Sequence, residues 1–388
     1  MIRILLSVLF LFIQLNYFAM ESTAQDSSLI NSLNSTFNNF EQKLKEHQVV
    51  GGALLFLRDG EIAANHYYGY AELSERRVVD ENTIFHWASI TKTLTAIGIM
   101  QLRDRGLLSL DASLTDYLPE LREIHNPYGD MDEITVRMAL NHSTGLRNST
   151  WPWGGNEDWH PFEPKRWEQL VAMFPYTQIE FEPGSRHSYS NPAIIFLGQI
   201  IEQLSNDPWE VYVDKHILRP LGMNKSYFNH TPAHLLPYRS NSYVLKEGKP
   251  EPRGLDFHTG ITTSNGGLNA PLTDMVKYLN FLLGRSQTGV EILKRSSLEE
   301  LWNEELPITE EGGVRSSAAL SFFLEEFDGM RVIGHTGTQW SYYSWFYIHP
   351  ETGSAAISIT NTDGDKNMHQ FRREVTREVF RDFFTQFK

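Results

Sequence analysis

The chain has 388 residues, 41% of them hydrophobic and 21% charged, enough apolar material for one large domain or two ordinary ones around a sizeable core. Its 34 lysines and arginines against 48 aspartates and glutamates leave a formal charge of −14, which argues against non-specific binding to nucleic acid or to an anionic membrane surface. Cysteine is absent, so disulfides, thiolate metal sites, iron–sulfur clusters and a cysteine nucleophile are excluded together.

Arg3 precedes an apolar run from Ile4 to Ile13 broken only by Ser7, and Ser22, Thr23 and Ala24 follow as small residues. This pattern predicts a signal peptide over residues 1–24 and a secreted or periplasmic protein over 25–388; an uncleaved N-terminal anchor is the alternative. No later segment approaches the roughly 20 apolar residues that a membrane-spanning helix needs, so stable membrane insertion after cleavage is not expected.

Leu29, Leu33, Phe37, Phe40 and Leu44 recur at helical spacing and predict an amphipathic first helix. Two strands follow, Gly52 to Leu57 and Glu61 to Tyr68, around Asp59-Gly60, a pair suited to a tight hairpin turn. Thr93 to Leu102 reads as a buried helix, stopped by Gly106. From about Leu107 to Gly260 the chain reads as helix and loop, with tryptophans at 151, 153, 159 and 167 and a proline-rich loop at Lys249-Pro250-Glu251-Pro252. Strand patterns return at Ala319 to Glu326 and Met330 to Ile333 around Asp328-Gly329, then at Ser344 to Ile348 and Ala355 to Thr360. Met368, Phe371, Val375, Val379 and Phe383 mark one face of a closing helix. Strands at both ends with helices between predict an α+β fold. One antiparallel sheet is formed from both chain ends and flanked by the terminal helices. The α/β lobe covers about 29–106 and 261–388, and a largely helical lobe is inserted over about 107–260.

Several catalytic signatures are missing: there is no Gly-x-Ser-x-Gly elbow, His-Glu-x-x-His, P-loop or dinucleotide glycine fingerprint. Ser89-Ile90-Thr91-Lys92 stands out at the start of the buried helix. Residues three apart share a helix face, so the Lys92 amine can reach the Ser89 hydroxyl. Burial would lower the lysine pKa and let it accept the serine proton, while the helix N-terminus favours a developing oxyanion. An ordinary helix cap with a solvated lysine is the plainer alternative. Two further clusters follow, Tyr189-Ser190-Asn191 and His335-Thr336-Gly337-Thr338. Taken singly, Tyr189 reads equally as a core tyrosine, Asn191 as a helix cap before Pro192, and His335 as a strand-end histidine bound to a carbonyl.

The three clusters in this order resemble the serine β-lactamase/penicillin-binding-protein superfamily. They are most similar to its class C branch, which includes class C β-lactamases, soluble D-alanyl-D-alanine peptidases, D-aminopeptidases and related esterases. The stretch Ile134 to Leu146, Pro220-Leu221-Gly222-Met223, Gly266-Gly267-Leu268 and Thr273-Asp274-Met275 extend the resemblance from about Gly52 to His349. It implies that Ser89 is the acylated nucleophile and Lys92 its proton-shuttling neighbour. Tyr189 would be the general base and later the acid, and Asn191 the amide that holds Lys92 and the substrate carbonyl. His335, Thr336, Gly337 and Thr338 would form the substrate-binding strand, with the amides of Ser89 and Thr338 as oxyanion hole. Which of Lys92 and Tyr189 takes the first proton is left open. Histidine at position 335, where most β-lactamases of the family carry lysine, implies a partial, pH-dependent charge facing the substrate.

The function implied is that of a secreted serine hydrolase working through an acyl-enzyme on small amides or esters, without metal or organic cofactor. A D-alanyl-D-alanine carboxypeptidase-like activity stands first, with carboxylic ester or β-lactam hydrolysis as alternatives and a non-catalytic penicillin-binding sensor as another. The partner expected is a small-molecule or peptide substrate such as a cell-wall peptide, not nucleic acid, and a monomer is the default. The tryptophan-rich stretch reads either as an aromatic rim for an apolar acyl or sugar group or as loop packing.

Overall fold

Asp59 and Gly60 take φ values of 53° and 89°, the positive angles that a tight hairpin demands, and so join two long strands at the front of the fold. The fold is that of a computed structural model, which describes residues 31–149, 164–364 and 366–387. The segment expected as a signal peptide and Trp151, Trp153 and Trp159 lie outside the described residues.

Nine strands make the principal sheet: β1 (Gly51–Arg58), β2 (Glu61–Glu72), β3 (Arg77–Val78), β4 (Leu306–Glu311), β5 (Val314–Ala318), β6 (Phe323–Phe327), β7 (Met330–Gln339), β8 (Tyr342–His349) and β9 (Ser354–Thr360). Their spatial order is β3-β2-β1-β9-β8-β7-β6-β5-β4, so the N-terminal hairpin completes a sheet otherwise drawn from the C-terminal part. The join is antiparallel, Gly52 opposite Thr360 through to Arg58 opposite Ser354.

The helices that bear on the site are α1 (31–46), α2 (Thr91–Asp104), α3 (Val136–Leu140), α4 (Asn191–Ser205), α5 (Thr263–Gly266), α6 (Leu272–Leu282) and α7 (Lys366–Phe384). Successive strand residues face opposite sides of the sheet. On β1, Leu54 and Phe56 therefore pack with Leu33, Phe37, Phe40 and Leu44 of α1 and with Val375, Val379 and Phe383 of α7. Ala53, Leu55 and Leu57 face the other way, into the core that holds α2 and α4. Both sheet faces are thus buried. Leu29 lies outside the described residues, as do the side chains of Met368 and Phe371.

α2 is the central element, buried from Thr91 to Leu102, its apolar residues interspersed with buried Thr91, Lys92, Thr93, Thr95 and Gln101. It packs against α4 at Gly98, where a Cβ would stand 2.9 Å from the Ile201 side chain.

Three local readings of the sequence are corrected. The strand expected from Ala319 begins at Phe323, because Ser321 takes a φ of 59° and residues 319–322 form a turn closed by the Ala319 amide on the Phe322 carbonyl. The proline-rich loop is instead a strand, Lys249–Gly254, paired with Ser242–Lys246; it lies at the end of its small sheet, where a missing N–H is tolerated. β4, at the edge of the sheet, and β5 beside it carried no strand signal. Among the described residues no helix is long and apolar enough to cross a membrane.

Candidate active site

A short strand, Ile84–His86, pairs with Leu268–Pro271 and delivers the chain to Trp87, which is fully buried. Trp87 is pinned by its amide on the Leu268 carbonyl (2.8 Å) and its indole N–H on the Ala270 carbonyl (2.9 Å). The next residue, Ala88, has a φ of 50°, a left-handed conformation that a non-glycine residue holds only when its surroundings enforce it. A single 3₁₀ turn, Ala88–Ile90, then presents a partly exposed Ser89 at the mouth of α2.

Lys92 follows one turn later with 0% exposure, which rules out the solvated lysine. Its Nζ lies 3.1 Å from Ser89 Oγ and donates to the Asn265 carbonyl at 2.8 Å. Burial pushes the amine well below the ordinary lysine range, a shift toward the neutral form that carries a lone pair.

Tyr189 arrives from the far side. Ser190 caps α4 by accepting from the Ala193 amide, with Pro192 in the first turn, so Tyr189 sits just outside the helix. Its hydroxyl hydrogen-bonds Ser89, and Lys92 Nζ is 5.0 Å from its ring centre. Burial raises the phenol well above its ordinary value of 10, only partly offset by the Ser89 hydrogen bond. Tyr189 is therefore a phenol at neutral pH.

Asn191 departs from its expected role. Its Nδ2 donates to the Asn148 carbonyl at 3.0 Å, and it is the Asn265 carbonyl that holds Lys92. The link between the two is indirect: Asn265 Nδ2 donates to the Asn191 carbonyl at 3.3 Å.

The fourth component is β7. A Cβ on Gly337 would lie 2.3 Å from the Trp87 carbonyl and 3.1 Å from the Ser89 amide nitrogen, so only glycine lets the strand run this close beneath Ser89. Thr338 follows Gly337 on the same strand and is exposed. Thr336 is half-buried, and His335 is 1% exposed, its ring 5.0 Å from Phe323 and 6.4 Å from Tyr189.

His335 corrects a second expectation. Its Nδ1 lies 2.5 Å from the Thr336 carbonyl, an acceptor only, so Nδ1 carries a proton and neutral Nε2 is left as an acceptor. Nε2 has no partner among the described residues. Burial is the main cause that pushes the ring down to about 3, so His335 is uncharged throughout the physiological range. His335→Gln is accordingly expected to lower the rate without reshaping the kcat/KM profile between pH 5 and 8. An acid limb near pH 6.5 that vanished in the variant would show a titrating His335.

Asn265 and Asn148 were not legible as site residues because each acts through its backbone carbonyl. Their only signal was proximity to a motif, Asn265 standing beside Gly266-Gly267-Leu268. Among the described residues no three histidine, aspartate or glutamate side chains converge in a way that could hold a metal ion.

The family model described as beta-lactamase matches residues 37–380. Penicillin-binding protein 4* of Bacillus subtilis (strain 168) is 25% identical over 346 residues, covering 85% of this chain and 72% of its own. Esterase EstB of Burkholderia gladioli is 30% identical over 222 residues, 55% of this chain and about half (54%) of that relative's length. The solved structure of the octameric penicillin-binding protein homologue from Pyrococcus abyssi has a TM-score of 0.73 at 26% identity, over 85% of this chain and 73% of that one.

Proposed function

The chain belongs to the beta-lactamase family and is a serine hydrolase, and from that premise we propose that it is an exported enzyme that cleaves small carboxylic esters and uncharged amides through an acyl-enzyme on Ser89. Export rests on the charged start, apolar run and small-residue stretch at the N-terminus.

The chemistry follows from the two shifted groups. Ser89 O–H gives its proton to the lone pair of Lys92 as Oγ attacks the substrate carbonyl, and the amides of Ser89 and Thr338 hold the resulting oxyanion. Tyr189, a phenol, donates its proton to the departing oxygen or nitrogen and is reprotonated from the Lys92 ammonium, whose nitrogen lies 5.0 Å from its ring centre. Water then takes the place of the leaving group and the acyl chain departs by the reverse sequence.

His335 carries the choice of substrate. A free carboxylate, as at the end of a D-alanyl-D-alanine peptide, calls for a fixed cation, and a buried neutral imidazole with Nε2 as acceptor supplies none. Such a group suits an uncharged substrate that can donate a hydrogen bond or merely pack. D-Alanyl-D-alanine carboxypeptidase activity is the second reading, favoured by the match to penicillin-binding protein 4* over 85% of the chain.

Steady-state kinetics on an alkyl ester and on a diacylated Lys-D-Ala-D-Ala peptide separate the two. We expect kcat/KM for the ester to exceed that for the peptide by about 100-fold, the scale on which a missing charge partner discriminates. The reverse order would sink the ester reading. Because the P. abyssi homologue is octameric, the default of a monomer is checked by mass in solution.

A further inference from the structure

Behind Tyr189 stands a residue that the mechanism above does not use. His142 lies in the loop after α3, 1% exposed, with a φ of 60°. A histidine in the left-handed region is uncommon, and this loop fixes it from outside: the Gly184 amide donates to the Ser143 carbonyl and the Glu180 amide to the Gly145 carbonyl, both at 2.8 Å.

Every interaction of His142 on that side converges on Tyr189. The amide of Ser188, one residue before it, donates to the His142 carbonyl at 2.8 Å. The amide of Ser190, one residue after it, donates to His142 Nδ1 at 3.2 Å. The imidazole itself stacks on the Tyr189 ring, centres 4.5 Å apart and planes 29° from parallel. The His187 ring stands nearly perpendicular to the imidazole, centres 5.8 Å apart. Since Nδ1 accepts a hydrogen bond, the ring is neutral with its proton on Nε2, in keeping with a buried site beside Lys92.

We propose that His142 is the positioning residue of Tyr189, holding the phenol in line with Ser89 by bonding the amides on both sides of it and backing its ring. The proposal rests on the reading of Tyr189 as proton donor to the leaving group. It explains why a strained, buried histidine occupies this loop: asparagine would tolerate the backbone but offer no ring, and phenylalanine would offer the ring but no acceptor.

The test uses that chemistry. An alkyl ester needs a proton for its leaving group and a p-nitrophenyl ester does not, so a misplaced Tyr189 slows only the first. In the full-length protein, His142→Asn is expected to lower kcat on ethyl butyrate by about 10–100-fold, the cost of a catalytic group displaced by a fraction of an ångström to an ångström. KM should stay within about twofold, and p-nitrophenyl butyrate should lose no more than about threefold. In a Tyr189→Phe background the same change should cost less than about twofold, because groups that act through one another are not additive. His142→Phe serves as the second variant should the first fail to fold, and the same leaving-group selectivity is expected of it.

Equal losses on both esters, or the same loss with and without Tyr189, would overturn the proposal and reduce His142 to packing. If Tyr189→Phe itself leaves ethyl butyrate turnover unchanged, the role of Tyr189 falls, and that of His142 with it. If the wild type turns over neither ester, the substrate reading falls separately, and the comparison is made on an alkyl amide against a p-nitroanilide with the same outcomes deciding it.

Discussion

Ser89→Ala is expected to reduce turnover by about 10⁴–10⁶-fold, the loss seen when a nucleophile that acts as one unit with its base is removed, while the fold stays intact. Among the described residues the Ser89 hydroxyl bonds the Lys92 amine at 3.1 Å and the Tyr189 phenol. It caps no helix: the turn Ala88–Ile90 and α2 both begin without a side-chain cap. Lys92 keeps its bond to the Asn265 carbonyl, and Trp87 keeps its two anchors, so nothing that shapes the turn depends on Oγ. The check is intact-mass spectrometry after exposure to a fluorophosphonate, with a melting curve alongside. Wild type should gain one adduct and the variant none, at matching melting temperatures. Turnover above about 1% of wild type in the variant, well outside the loss expected of a nucleophile, would remove Ser89 from that role.

The adduct also bears on the left-handed backbone at Ala88. A strained residue next to a nucleophile persists only where the surroundings over-determine it, and here Trp87 does so from one side and the close pass of Gly337 from the other. Ser344 completes the arrangement by donating to the Trp87 carbonyl at 3.0 Å, tying β8 to the same turn. Three segments far apart in the chain thus hold one serine in place.

What was legible in the amino-acid order was whatever depends on short spacing. Ser89 and Lys92 share a face because they are three residues apart on a helix, and Asp59-Gly60 closes a hairpin because two consecutive residues can take positive φ. The α+β division followed from where strand and helix periods occur. What was not legible depends on partners far along the chain. The neutral state of His335 is set chiefly by its burial, which its own sequence neighbours do not reveal, so an ordinary histidine value was the natural but mistaken expectation. Asn191 looked like the residue that holds Lys92, yet a backbone carbonyl at Asn265 does so, and any residue type could have supplied it. Pro250 and Pro252 read as a loop because the partner strand that makes an edge of them is not written in their own composition. The role of His142 was hidden for the same reason, its contacts lying some 46 to 48 positions downstream.

Lys92→Met should cost about 10²–10⁴-fold in kcat/KM, the usual contribution of a positioned proton acceptor, and should also change how stability responds to pH. The amine is buried and held well below its ordinary value of 10.5, so over the range between the two values the folded protein binds fewer protons than the unfolded chain. Stability then rises with pH through that window, because the unfolded state is the more protonated one, and the gain is complete only above 10.5. Methionine has nothing to titrate, so the variant lacks this slope. Its one added cost is the Asn265 carbonyl left without a donor, about 1–3 kcal/mol and independent of pH. Urea unfolding of both proteins at intervals from pH 7 to 10 reads the difference directly. The gap is expected to move in favour of the wild type as pH rises. Parallel curves would mean that Lys92 is an ammonium in the folded state, and the first proton of Ser89 would then have to go to Tyr189, reversing the order of proton transfer argued above.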